Sequence, residues 1–357
     1  MENDKVVMAY LAGVMDGDGS FSIARLSKGS LNPLYFPLLQ CGKWRLEFLE
    51  LLKKTFGGNL VVGKPRKCKD GSLGHALTTW KLRGSINCKP ALEALIPFLK
   101  IKKERAEIIL QFINECPFIR GKTLENDELL KRESLYLKSI QCNDWKSCST
   151  SITTKLASQI SEDPIFWSYL AGLMDTDGSF SVKKQTQNKG THVVNARYLP
   201  VISVSMTDTR AINYIRENCN IGNFYIAKNK CTNAGINYHF GVYTKDESIV
   251  FLKMLIPYLR AKKANAEVLL DFCMNSKNTV YCKAGIPAEE LAFRELCYRK
   301  LCHLNKYGVY KSSLIDSKLL PGDAGDNEGQ AGNTVQPERS KREDLEIGCS
   351  ALNTTEM

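Results

Sequence analysis

The sequence predicts an α+β protein made of two pseudo-twofold related αββαββα halves, each an antiparallel sheet backed by helices. Three observations carry this. Residues 10–23, YLAGVMDGDGSFSI, return as residues 169–182, YLAGLMDTDGSFSV, with eleven of fourteen positions identical. Further matches follow at offsets of 159 to 165 residues: FGGNLVVGK (56–64) with IGNFYIAKN (221–229), LIPFLKIKKERAEIILQF (95–112) with LIPYLRAKKANAEVLLDF (255–272), and ELLKRE (128–133) with ELAFRE (290–295). Within each half, apolar residues pass from helical spacing to strict alternation and back in the same order.

Each half opens on a short helix through YLAG. A strand follows at once, with Phe21 and Ile23 alternating with Ser22 and Ala24, and Phe180 and Val182 with Ser181 and Lys183. A second strand precedes a helix, WRLEFLELLKKTF (44–56) or TRAINYIREN (209–218), stopped by glycine. Two more strands flank a turn, GNLVVGKPRK with LTTWKLRG and NFYIAKNK with YHFGVYT, and two helices close the half. The halves are set at 1–142 and 164–320. A polar, Ser/Thr-rich linker spans 143–163, and a tail with few large apolar residues, expected to be disordered, spans 321–357.

The formal net charge is +11, but the tail holds eight acidic and three basic residues, which leaves +16 on the rest. Such a body favours polyanionic partners. Hydrophobic residues at 43% and charged residues at 24% exclude a wholly disordered chain. No apolar run approaches the roughly 18 residues of a membrane helix, so no membrane partner is expected. Thirteen cysteines occur without a CxxC pair, which argues against zinc and disulfide frameworks and suggests a reducing compartment. Cys297, Cys302 and His303 come closest, but on an amphipathic helical stretch. The start, MENDKVVMAYLAG, does not read as an import presequence.

The repeated segment carries the chemistry. Ala12–Gly13 and Ala171–Gly172 are small enough to let two helices meet backbone to backbone. If the copies pack on each other, both helices end at one place, bringing Asp18 and Asp177 together. A carboxylate at a helix C-terminus is electrostatically disfavoured. A divalent cation relieves this, and oxygen donors suit Mg²⁺. A cation bridging a phosphate supports hydrolysis of a phosphodiester. The plainer reading is an Asp-Gly helix cap.

LAGVMDGDG and LAGLMDTDG resemble the LAGLIDADG signature of homing endonucleases, in the two-motif single-chain form, over roughly residues 5–305. The resemblance implies a saddle formed by the two sheets. It implies an intron-encoded, site-specific DNA endonuclease that makes a staggered double-strand break in a long, pseudo-palindromic duplex. The alternative is an intron RNA maturase, with the host intron RNA as partner and no cleavage. Carried over, the metal ligands for Mg²⁺, or another divalent cation such as Mn²⁺, are Asp18 and Asp177 with the backbone carbonyls of Gly17 and Thr176. Asp16 and Asp175 are structural. Lys102 and Lys262 order water near the scissile phosphate, and Arg45 and Arg210 complete the catalytic set. On their own, such lysines also read as solvated charges. One departure stands out: the water-holding position at the end of the second strand aligns with Cys41 and Met206, and neither holds a water well. The family's habits point to a monomer encoded in an organelle, plastid ahead of mitochondrion.

Alternation divides the sheet residues into two faces. The core side takes Phe21, Ile23, Trp80, Leu82, Phe180, Val182, Phe240 and Val242. The DNA side takes Ser22, Ala24, Lys28, Gln40, Lys64, Arg66, Lys81 and Arg83 in the first half, with Ser181, Lys183, Gln185, Ser203, Asn229 and Tyr243 in the second. The basic segments 64–75 and 183–192 read as loops that reach phosphates.

Overall fold

The computed structural model describes residues 2–26, 33–65, 75–117, 124–142, 156–189, 192–227, 236–277 and 286–308. The first half runs α1 (Glu2–Gly17), β1 (Gly19–Leu26), β2 (Leu34–Lys43), α2 (Glu47–Phe56), β3 (Asn59–Val62), β4 (Thr78–Arg83), α3 (Ser85–Leu95), α4 (Lys103–Glu115) and α5 (Asn126–Gln141). The second repeats this order as α6 (Pro164–Asp177), β5 (Gly178–Lys189), β6 (His192–Met206), α7 (Thr209–Asn218), β7 (Asn223–Ala227), β8 (Asn237–Val242), α8 (Lys245–Leu255), α9 (Lys263–Asn275) and α10 (Ala288–Tyr307). The two four-stranded antiparallel sheets have matching orders, β1-β2-β4-β3 and β5-β6-β8-β7.

Three expectations are corrected. Each half closes on three helices, because Pro97 and Pro257, which lack a backbone donor, fall in the turns after α3 and α8. Trp44, Arg45 and Leu46 precede α2 instead of opening it. Trp44 stacks on His75, while Arg45 donates to the carbonyls of Ala261 and Leu304 in the other half. Residues 183–189 are not a loop: β5 continues to Lys189 and pairs with β6 past a bulge between Gln185 and Gln187.

The sheet faces divide as the alternation requires. Phe21, Trp80, Phe180, Phe240 and Val242 are fully buried, and Ile23, Leu82 and Val182 nearly so. They join α2–α4 and α7–α9 in a continuous core under both sheets. Arg132 and Arg294 repeat the symmetry inside α5 and α10: each pairs with the glutamate one turn before it, Glu128 or Glu290. The described part of the linker lies along α7, where Ala157 and Ser161 donate to the carbonyls of Arg216 and Asn218.

What positions the site is the crossing of α1 and α6. A methyl built on Gly13 would collide with the Tyr169 carbonyl and stand 3.0 Å from the Leu173 nitrogen. One on Gly172 would collide with the Tyr10 carbonyl and stand 2.9 Å from the Val14 nitrogen. The two glycines thus set the backbone-to-backbone approach. Tyr10 Oη donates to Asp175 Oδ2 at 2.7 Å, and Tyr169 Oη to Asp16 Oδ2 at 2.9 Å. These bonds cross between the halves. Tyr169→Phe should therefore cost about 1–3 kcal/mol in a denaturant titration, because Asp16 stays buried with one donor fewer.

Candidate active site

The last turns of α1 and α6 are built alike. Asp16 accepts from the backbone N–H groups of Lys100 (2.7 Å), Ile101 (3.0 Å) and Lys102 (2.8 Å). Asp175 does the same with Arg260 (2.8 Å), Ala261 (3.1 Å) and Lys262 (2.8 Å). Each aspartate therefore pins the turn that leads into α4 or α9 onto the motif helix. Burial raises the Asp16 pKa, opposed by the three amides and by Lys102.

Lys102 and Lys262 serve the helix ends. Lys102 Nζ donates to the carbonyls of Met15 (2.9 Å), Gly17 (3.0 Å) and Gly19 (2.7 Å). Lys262 Nζ donates to those of Met174 (3.0 Å), Thr176 (3.0 Å) and Gly178 (2.6 Å). A half-buried ammonium thus neutralises the negative end of each helix. Burial lowers the pKa of both lysines, that of Lys262 to about 8 with help from the charge of Lys43. All three donors of each ammonium are engaged with backbone, so neither lysine is a solvated charge.

The outer aspartates follow directly. Asp18 lies at the end of α1, and Asp177 ends α6 beside Gly17, whose added methyl would stand 3.0 Å from Asp177 Oδ2. The Asp177 residue opens to solvent, yet protein on its other sides withdraws water from the carboxylate. That desolvation, and then the charge of Asp18, raises its pKa. Asp18 Oδ2 is buried without a well-directed hydrogen bond, although Lys43 Nζ stands 2.6 Å away as an ion pair. Two repelling carboxylates, one with an unsatisfied oxygen, stand with the carbonyls of Gly17 and Thr176 at the paired helix ends. This all-oxygen set fits a hard divalent cation. Among the described residues no group of three or more His, Cys, Asp or Glu side chains forms another metal centre.

A family model described as LAGLIDADG endonuclease matches residues 170–274. Over that segment the chain is similar to the LAGLIDADG family. A curated relative, the DNA endonuclease I-CvuI of Chlorella vulgaris, is 24% identical over 115 residues, which is 32% of this chain and 68% of that one. Among solved structures, I-LtrWI bound to target DNA aligns with a TM-score of 0.59 at 16% identity, covering 84% of this chain and 98% of that chain. I-SmaMI bound to an uncleaved DNA target in the presence of calcium ions aligns with a TM-score of 0.56 at 15% identity, covering 84% and 99%. At these identities the likeness to the solved structures is one of fold. It spans both halves of this chain.

The strand register revises the pairing of the two halves. Gly19 faces Cys41 across β1 and β2, and Gly178 faces Val204 across β5 and β6. Trp80 then faces Cys41, and Phe240 faces Val204. The buried Phe48, Leu49 and Leu52 of α2 correspond to Ala211, Ile212 and Ile215 of α7 at the same offset of 163 residues. The counterpart of Cys41 is therefore Val204, and Met206 corresponds to Lys43. Arg45 corresponds to Asp208 and Arg210 to Glu47, so the two arginines are not a matched pair. Arg45 is buried among carbonyls, and Arg210 pairs with Asp208 at 2.6 Å. Cys41 is buried, and desolvation, with the nearby charge of Asp18, pushes its thiol up to about 12.

Of the residues assigned to the open side, Arg83 and Lys183 are exposed on the sheets and Lys64 is exposed just beyond β3. Ser22, Ala24, Gln40, Lys81, Ser181, Gln185, Ser203 and Tyr243 are half-buried. Lys28, Arg66 and Asn229 lie outside the described residues. The same face carries residues that the sequence reading omitted. Ser205, His239 and Tyr225 stand in register across β6, β8 and β7, with Ser205 hydrogen-bonded to His239. Tyr225 stacks on the His239 ring at 4.9 Å and reaches Tyr243 Oη at 3.1 Å. Extending the alternation from Phe240 and Phe224 by one residue would have found His239 and Tyr225. Lys43 was also missed, because its partners come together only when the helices cross.

Proposed function

We propose that this chain is an intron-encoded, site-specific DNA endonuclease that hydrolyses both strands of a long, nearly twofold duplex to leave a staggered break. One observation carries the reading: Asp18 and Asp177 stand at the paired ends of α1 and α6 with the Gly17 and Thr176 carbonyls. The solved neighbours named above are bound to DNA, and the curated relative is a DNA endonuclease, which favours cleavage over the maturase alternative. Asp18, Asp177 and the two carbonyls would hold Mg²⁺ or Mn²⁺. When bound, the cation would polarise a phosphodiester oxygen and acidify water. Asp16, Asp175, Lys102 and Lys262 fix the helix ends on which those oxygens sit. The halves 1–142 and 164–320 each present one sheet to half of the site. The chain acts as a monomer, since one polypeptide supplies both motifs. Encoding in an organelle, the plastid ahead of the mitochondrion, agrees with a relative from Chlorella.

Incubating the protein with a randomised duplex library and Mg²⁺, then sequencing the cut ends, tests the reading. A single long enriched site supports it, and an uncut library refutes it. The recovered site then serves for specificity. Lys183 and Gln185 stand on the open face of β5, where the first half has Ala24 and Leu26. Lysine donates to guanine, and glutamine pairs with adenine. Lys183→Ala with Gln185→Ala should relax base preference in one half-site only, by roughly 1–3 kcal/mol per lost bidentate contact. Cleavage profiling on single-base variants of the site would show this.

A further inference from the structure

Lys43 breaks the twofold symmetry of the site. Its Nζ lies 2.6 Å from Asp18 Oδ2 and donates to the Thr176 carbonyl at 3.1 Å. These two oxygens come from opposite motif helices, and both belong to the donor set proposed for the divalent cation. The ammonium therefore takes a cation's place between them. The side chain is held there from the last residue of β2, whose partner across the sheet is Thr78. At the equivalent position the second half has Met206, an uncharged side chain packed against the core. Among the described residues no ion pair forms at Asp177, and Arg210, the nearest basic residue in sequence after Met206, turns to Asp208. Lys102 and Lys262 do not restore the balance, because they cap α1 and α6 equivalently.

We propose that Lys43 is a resident cation that competes with a divalent ion for Asp18 and the Thr176 carbonyl, so that the Asp177 side of the site fills first. The proposal rests on the reading of Asp18 and Asp177 as cation ligands and adds an order to it. Two like positions on a twofold axis would bind ions equally. Here one of them must displace or accommodate a fixed positive charge a few ångströms away, which weakens binding.

The test counts Mn²⁺ bound to the full chain by electron paramagnetic resonance of the free ion. The wild type should show one stronger and one weaker ion. Lys43→Met, which installs the residue found in the other half, should tighten the weaker one about tenfold or more. Asp18→Asn added to Lys43→Met should remove that gain, and Asp177→Asn should leave it. The reciprocal Met206→Lys should weaken the stronger ion, which keeps the test open if Lys43→Met fails to fold. Superimposable curves for wild type and Lys43→Met, with two ions bound equally, would overturn the role of Lys43 alone. No saturable Mn²⁺ in any variant would overturn the cation site together with it.

Discussion

Asp18→Asn and Asp177→Asn should each abolish double-strand cleavage of the selected site, by more than about 10³-fold, while leaving binding to that DNA largely intact. The carboxamide keeps the shape of the side chain and loses the charge that holds a cation. Loss of several kcal/mol of charge stabilisation is an effect of that size. Binding survives because both carboxylates would repel the phosphates they approach, and the sheet faces proposed to contact DNA are elsewhere. Asp177 opens to solvent and Asp18 is only partly buried, so neither substitution disturbs the core. A gel-shift titration beside a cleavage time course reads both quantities. Full cleavage by either variant would remove that aspartate from the chemistry.

The second large effect is on stability. Gly13→Ala should destabilise the fold by about 3 kcal/mol or more, and Gly172→Ala likewise. The added methyl has no flexible side chain to push aside. It meets the backbone of the facing helix, so α1 and α6 must move apart. Separation would strain the Tyr10–Asp175 and Tyr169–Asp16 bonds and displace both outer aspartates. Thermal unfolding should therefore fall in temperature, and cleavage by any folded remainder should fall further than stability alone explains. The control is Ala12→Gly, one residue away, which adds no atom at the crossing and should cost about 2 kcal/mol, from helix propensity and the loss of one buried methyl.

Much of this architecture is legible in the sequence because it is written twice. The repeat of YLAG…DG, the alternation through Phe21 and Phe180, and the helical spacing of TRAINYIREN each report a local period that tertiary packing did not override. The buried faces of both sheets follow from those periods. What local patterns could not give was pairing across the repeat. Arg45 and Arg210 are the same residue type near the same place, which invited an offset of 165. The ladder of backbone hydrogen bonds sets it at 163 and moves Met206 opposite Lys43. The helix-capping role of Lys102 and Lys262 was equally hidden. Three carbonyls gather around each ammonium only because Asp16 and Asp175 pull the following chain segment onto the motif helix. The third closing helix and the extension of β5 to Lys189 are local features that the apolar periodicity passes over: Pro97 and Pro257 break the helical run, and Gln187, Asn188 and Lys189 pair with Val194, Val193 and His192 close by in the chain.

The central claim is that one chain carries two hydrolytic positions about a single axis. Strand-resolved mapping of the cut ends on the selected duplex tests it most directly. The expected result is one cut in each strand, offset across the centre of a nearly twofold site, with both cuts lost on chelation of the divalent cation. Cuts confined to one strand at completion, blunt ends, or cleavage that persists under chelation would contradict it.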